Sequence, residues 1–178
     1  MKILKKWGAL VLTLAVLAVG LGVFALYTAR PVELNPAELT LAETVEPYPG
    51  AELSLEINGA LISLTFSNHS EARLESGASV DGDRNLFFTG GLQVLLDGQW
   101  YKVPSEPYAT AGVGLELEPG DSVSGQYSLS PYGKLPDGQY RIAFVYWQSS
   151  PGEEEPLLRQ SYRQSYVEFR LEYGRLQL

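Results

Sequence analysis

The sequence predicts an all-β domain, an antiparallel β-sandwich of seven to eight strands, preceded by one N-terminal transmembrane helix. Three observations predict it. The dipeptides Asn58-Gly59 and Asp97-Gly98 each separate runs of alternating apolar and polar residues, the strongest short-range hairpin signal. Further alternating runs recur at short spacing to the C terminus, as a sandwich requires. From Trp7 through Ala29 no residue is charged.

That N-terminal stretch, built as a helix, is about 34 Å long and can cross a hydrocarbon layer about 30 Å thick. Lys2, Lys5 and Lys6 precede it, and all 21 acidic residues follow Arg30. This asymmetry predicts a cytoplasmic tail (1–6), a signal-anchor helix (7–29) and an extracytoplasmic remainder, with Trp7 and Tyr27 at the interfaces. The competing reading is a cleaved signal peptide and a secreted protein. Tyr27 is bulky where a small residue is wanted before Ala29, which favours the uncleaved anchor, although Ala18-Val19-Gly20 offers an alternative cleavage site. Residues 30–50 hold four prolines and four glutamates, the composition of a stiff stalk that holds the domain off the bilayer. Asn35-Pro36-Ala37-Glu38 within it carries a helix-start pattern.

Composition removes several function classes. Residues 31–178 carry nine bases against 21 acids, a net −12, so the folded part has no basic footprint for nucleic acid or anionic lipid. The absence of cysteine excludes a disulfide framework, thiolate zinc, thiol catalysis and a lipoprotein anchor.

The sandwich domain is expected over 51–178. In its first hairpin Leu53, Leu55 and Ile57 face Ile62, Leu64 and Phe66, and a loop at Asn58-Gly59 pairs Leu55 with Ile62 and Leu53 with Leu64. Residues 68–91 read as connection, with short strands at 72–75 and 86–89. Asp81-Gly82-Asp83-Arg84-Asn85 matches the start of a calcium loop. Leu86 stands where the turning glycine belongs and Leu92 where the bidentate glutamate belongs, so a polar turn is expected. Asp97-Gly98 places Val94 opposite Tyr101 and Leu92 opposite Val103 on the core face, with Leu95 opposite Trp100 on the other. Val123, Tyr127 and Leu129 form a one-sided strand after the turn at Glu118-Pro119-Gly120-Asp121. Ile142, Phe144 and Tyr146 on one face are matched by Ala143, Val145 and Trp147 on the other, which marks a central strand. An acidic loop is expected over 149–160. In the last strand Val167, Phe169, Leu171 and Tyr173 point inward.

Asp137-x-x-Tyr140, followed by Ile142, has the spacing of a tyrosine corner, in which a phenol hydroxyl ties a connection back to upstream backbone in an immunoglobulin-like sandwich. With Leu64-Thr65-Phe66-Ser67-Asn68-His69-Ser70, Asp97 to Pro104, Leu117-Glu118-Pro119-Gly120 and Tyr132 to Ile142, the chain resembles the bacterial Ig-like domain family of exported and membrane-anchored Gram-positive proteins over roughly 52–172. The connection between Ser70 and Leu92 is longer than the family's pattern. The resemblance implies an immunoglobulin-like fold and no catalytic residues, and fold alone does not give function.

No catalytic, metal or cofactor residue is therefore expected. His69 is the single histidine, no nucleophile motif accompanies it, and the carboxylate pairs Glu116/Glu118 and Glu153 to Glu155 read as solvated. A partner-binding face is the sharper expectation. If Tyr140 is the corner, Val145 and Trp147 turn outward on the sheet that also carries Leu95, Trp100 and Tyr166, beside Lys102, Glu168 and Arg170. Two alternatives stand: Trp100 is the core tryptophan, or the stalk covers this face. The expected role is non-enzymatic binding, adhesion or spacing at the cell surface. Its partners would be the bilayer through 7–29 and a protein or cell-wall ligand, with no nucleic acid. The alternative is an accessory or regulatory subunit of a membrane complex.

Overall fold

The computed structural model describes residues 15–22, 33–107, 111–148 and 162–178, in two compact units divided after Val32. In the first unit residues 15–22 are helical. Among the described residues no helix is long and apolar enough to cross a membrane. The tail at 1–6, most of the segment 7–29 and the acidic loop at 149–160 lie outside the described residues.

The second unit holds twelve strands rather than seven or eight: β1 (Thr40–Leu41), β2 (Ala51–Asn58), β3 (Leu61–Asn68), β4 (Leu74–Val80), β5 (Leu86–Phe88), β6 (Gly91–Leu96), β7 (Gln99–Lys102), β8 (Ala111–Leu117), β9 (Ser122–Tyr127), β10 (Gly138–Gln148), β11 (Tyr162–Glu172) and β12 (Arg175–Gln177). One layer runs β1-β7-β6-β10-β11-β12, and the other runs β2-β3-β9. The long β3–β6 connection joins the layers. β4 bonds β10 through Leu74 to Ser76 and β5 through Ala78 to Val80, and β5 in turn meets β9 at Phe87 and Gln126. Glycine at 125 permits that crossing, because a Cβ there would lie 2.9 Å from the Leu86 carbonyl oxygen and from the Phe88 ring.

β10 is central, as its two apolar faces predict, with β6 and β4 along one edge and β11 along the other. Tyr140, Ile142, Phe144 and Tyr146 are its inward residues, all fully buried. Phe66 of β3 meets Phe144 and Tyr146 at ring distances of 4.8 and 4.9 Å, and Phe88 meets Phe144 at 4.9 Å, so the layers close on an aromatic core.

The Tyr140 phenol ties back to upstream backbone. Tyr140 Oη donates to the Pro136 carbonyl at 2.7 Å. Burial first, then the neighbouring Asp137 charge, pushes the phenol well above its ordinary value near 10. Asp137 has a second task, since its carboxylate accepts the backbone N–H groups of Tyr173 and Gly174 at 2.9 and 3.2 Å and fixes the β11–β12 turn.

Several expectations need correction. The first hairpin turns on Gly59-Ala60, not Asn58-Gly59, so Leu55 pairs with Leu64 and Ile57 with Ile62. Only Gly59 (φ 67°) has positive φ there, the requirement of a II′ turn, whereas Asp97 (50°) and Gly98 (77°) both do, the requirement of I′. The shift is two residues, so the same side chains still face inward. Tyr173 is 92% exposed because it sits in the turn after β11 with φ 51°, rather than continuing the inward row. The connection at 68–91 holds a seven-residue strand, β4, and β8 has no counterpart in the sequence reading. Asn35-Pro36-Ala37-Glu38 forms only one 3-10 turn, capped by Asn35 Oδ1 accepting the Ala37 N–H. From Glu33 onward the expected stalk belongs to the compact unit. Its β1 extends the β7 edge.

Candidate binding face

The outward residues of β10 are Arg141, Ala143, Val145 and Trp147, because the core takes the alternate positions. Strand pairing sets Gln93 beside Arg141, and the β11 neighbours of the row are Glu168, Tyr166, Gln164 and Tyr162. Leu95 and Trp100 pair with each other on β6 and β7. All five expected residues therefore lie on one outer face, and the structure divides them into two groups.

The first group surrounds Arg141. Its guanidinium lies 4.4 Å from the Trp100 ring centroid and 4.2 Å from that of Tyr166, and the residue is only 5% exposed. Nε donates to Gln93 Oε1 at 2.7 Å and an Nη to Thr44 Oγ1 at 3.0 Å. Burial lowers the guanidinium pKa, opposed by the electrostatic attraction of Tyr166 and Glu168. The two ring faces supply part of what lost water would have supplied, about 2 kcal/mol for a desolvated cation–π pair.

Residues 42–48 cross this face as a strap. Ala42 N–H donates to the Trp100 carbonyl at 2.8 Å, and Val45 N–H donates to Tyr166 Oη at 2.9 Å. Tyr166 Oη in turn donates to Gln164 Oε1 at 2.6 Å. At its far end the strap turns to the core side of β10, where Tyr48 N–H donates to the Oη of inward Tyr146 at 2.8 Å. Tyr162 Oη donates to a Glu43 carboxylate oxygen at 3.1 Å, and this bond is the first cause that raises the Tyr162 phenol pKa. Trp100 is thus a half-buried outer residue, not the core tryptophan, and the segment expected as a stalk covers the Trp100–Tyr166 end.

The second group is open. Val145 is 37% and Tyr162 46% exposed, and half-buried Trp147 donates from Nε1 to Glu75 Oε2 at 3.0 Å. Glu75 also pairs with Arg73 at 3.8 Å, and Arg73 reaches Glu116 and, at 3.7 Å, Glu118. The Glu116/Glu118 pair therefore neutralises a cation at the surface. His69 stands 3.6 Å from Glu52, both well exposed.

Sequence reasoning missed Arg141, Thr44 and Glu75. One signal was available for the first: an arginine inside the run Tyr140 to Trp147 has to be covered by something, because a charge is seldom buried without partners.

The calcium-like string forms a closed polar turn. Asp81 Oδ1 accepts from the N–H groups of Asp83 and Asn85, and Oδ2 from Asn85 Nδ2, all at 2.9 Å. Those bonds, the Asn85 side chain first, lower the Asp81 pKa. Among the described residues no group of three or more His, Asp or Glu side chains is placed to hold a metal ion.

No curated protein matches the chain. Domains of the family to which its strand pattern points are typically non-catalytic. The model of the bacterial Ig-like domain matches residues 52–151, more than half of the chain, and the chain belongs to that family.

Proposed function

We propose that this protein is a non-catalytic module held at the outer face of a cell membrane by residues 7–29, and that it works by binding or spacing. The observation that carries the binding reading is the open end of the outer sheet face, where Val145, Trp147 and Tyr162 lie side by side. Trp147 and Tyr162 are directly paired across β10 and β11. Half-exposed aromatic residues ringed by charged groups suit a partner surface with an apolar centre and a polar rim. The uncharged 7–29 segment between lysines and an acidic chain supports the membrane placement.

Two experiments test the two halves. Fractionation of intact cells, with external protease directed at the 149–160 loop, is expected to place the chain in the membrane fraction and cleave it from outside. Loss of the chain to the medium would replace the anchor with a cleaved signal. Capture of partners by wild type and by Trp147→Ser is expected to differ by a specific protein or wall component. Identical captures would remove the Trp147 end from consideration.

A further inference from the structure

Strand β8 is seven residues long and is bonded along one edge. Among the described residues it pairs with β4 alone, in a ladder that runs from Leu74 opposite Leu117 to Val80 opposite Ala111. Its other edge therefore turns a row of backbone N–H and C=O groups outward, and such a row templates another strand unless charge, proline or shortness prevents it. Asn68 Nδ2 donates to the Leu117 carbonyl at 3.0 Å and closes one end. From 111 to 116 the sequence is Ala-Gly-Val-Gly-Leu-Glu, with one charge and neither lysine nor proline. Other edges are guarded. β2 carries Glu52 and Glu56, β11 carries Arg163, Glu168 and Arg170, and β1 and β12 are only two and three residues long.

The β8 pattern is complementary to itself. Two copies set antiparallel about Gly114 place Val113 opposite Leu115, Gly112 opposite Glu116, and Gly114 opposite its own counterpart. Apolar side chains then meet apolar ones, and the single carboxylate meets a residue without a side chain. A register centred on Glu116 would instead oppose two like charges. The two-fold axis of the Gly114 register stands perpendicular to the sheet, so half-buried Val113 and Leu115 stay on the same side in both copies. Gly112 and Gly114 are exposed, and a Cβ at either would meet nothing within 4 Å, so nothing in the fold obstructs the approach.

We propose that β8 is a self-pairing edge, through which two copies of this chain join their sheets antiparallel about Gly114. Strand register carries the outer face from Tyr162 through Trp147 and Glu75 to Glu116, so the joined sheet presents the Trp147 ends of both copies on one side. The pairing does not depend on the partner role proposed for that end, because it is read without any partner present. A contact through one short edge is small, and a dissociation constant on the order of 10–100 μM is expected.

The chain has no cysteine, so single cysteines report the pairing cleanly. In the proposed register the two copies of residue 114 have Cα atoms about 4.5–5.5 Å apart, within disulfide reach, whereas the two copies of residue 112 lie about 13 Å apart along the strands. Full-length Gly114→Cys, oxidised in isolated membranes, is expected to form a disulfide-linked dimer. Gly112→Cys and Glu116→Cys are each expected to stay single, and to link to one another when the two are co-expressed. Charge gives a second test on the detergent-solubilised full-length chain by sedimentation. Gly114→Glu and Gly114→Lys, each alone, oppose like charges and are expected to weaken the dimer about two- to fivefold, while their equimolar mixture restores it. No dimer from Gly114→Cys, equal dimer from Gly112→Cys, or linkage of position 114 to a different protein instead of a second copy would each overturn the proposal, as would a mixture no tighter than its components.

Discussion

Tyr140→Phe is the most informative single change to the fold, because it removes one oxygen and leaves the ring in place. The ring keeps its packing, including the stack on Phe169 at 5.7 Å, so the loss isolates the 2.7 Å bond to the Pro136 carbonyl. The net worth of such a bond is about 1 kcal/mol, and the part-buried carbonyl it leaves unpaired raises the cost to about 2 kcal/mol. For a compact unit of this size each kcal/mol lowers the melting temperature by about 3 °C, so a fall of about 3–6 °C is expected. Thermal melts followed by circular dichroism at pH 7 measure it. A second signature comes from ionisation. The folded phenol titrates well above the value near 10 that it has when exposed. The unfolded chain therefore releases the proton first, and stability from Tyr140 is complete below pH 10 and lost as pH rises beyond it. Tyr140→Phe should show a shallower alkaline decline than wild type. An unchanged melting temperature together with an unchanged alkaline slope would refute the corner as the tie that sets the orientation of β10.

Three other changes probe separate contacts. Arg141→Ala empties the space between Trp100 and Tyr166 and strands Gln93 and Thr44, so a loss of about 2–4 kcal/mol is expected in chemical denaturation. The same variant should expose 42–48 to limited proteolysis, because it removes one of the strap's side-chain contacts. Gly125→Ala forces a Cβ to within 2.9 Å of a backbone oxygen and is expected to cost about 1–3 kcal/mol, whereas Gly114→Ala meets nothing within 4 Å and should melt like wild type. Asp137→Ala removes two accepted N–H bonds and is expected to speed amide exchange at Tyr173 and Gly174 while the β10 core keeps its protection.

What the sequence made legible follows from how local each cause is. β10 was legible because a strand apolar on both faces has to be interior, and the Asp97-Gly98 hairpin because both residues tolerate positive φ. Asn58-Gly59 pointed to the right hairpin and the wrong turn, since Gly59 can serve either as the second residue of I′ or as the first of II′. β8 was missed because Gly112 and Gly114 lower strand propensity, and its place is set by pairing with β4 rather than by its own pattern. Tyr173 was misplaced because simple alternation ignores the turn that Asp137 builds from 36 residues away. The strap was illegible for the same kind of reason. Thr44 meets Arg141 across 97 residues, and proline and glutamate content reports solvation preference, not the docking of a backbone onto aromatic hydroxyls.

The open Val145–Trp147–Tyr162 end is proposed to contact a partner at the membrane. A photo-crosslinking residue at position 145, compared in living cells with one at Ser63 on the β3 strand of the other sheet, tests it most directly. A discrete adduct is expected at 145, lost in Trp147→Ser and absent at 63. Adducts at both positions alike, or an adduct at 145 that Trp147→Ser leaves unchanged, would contradict it.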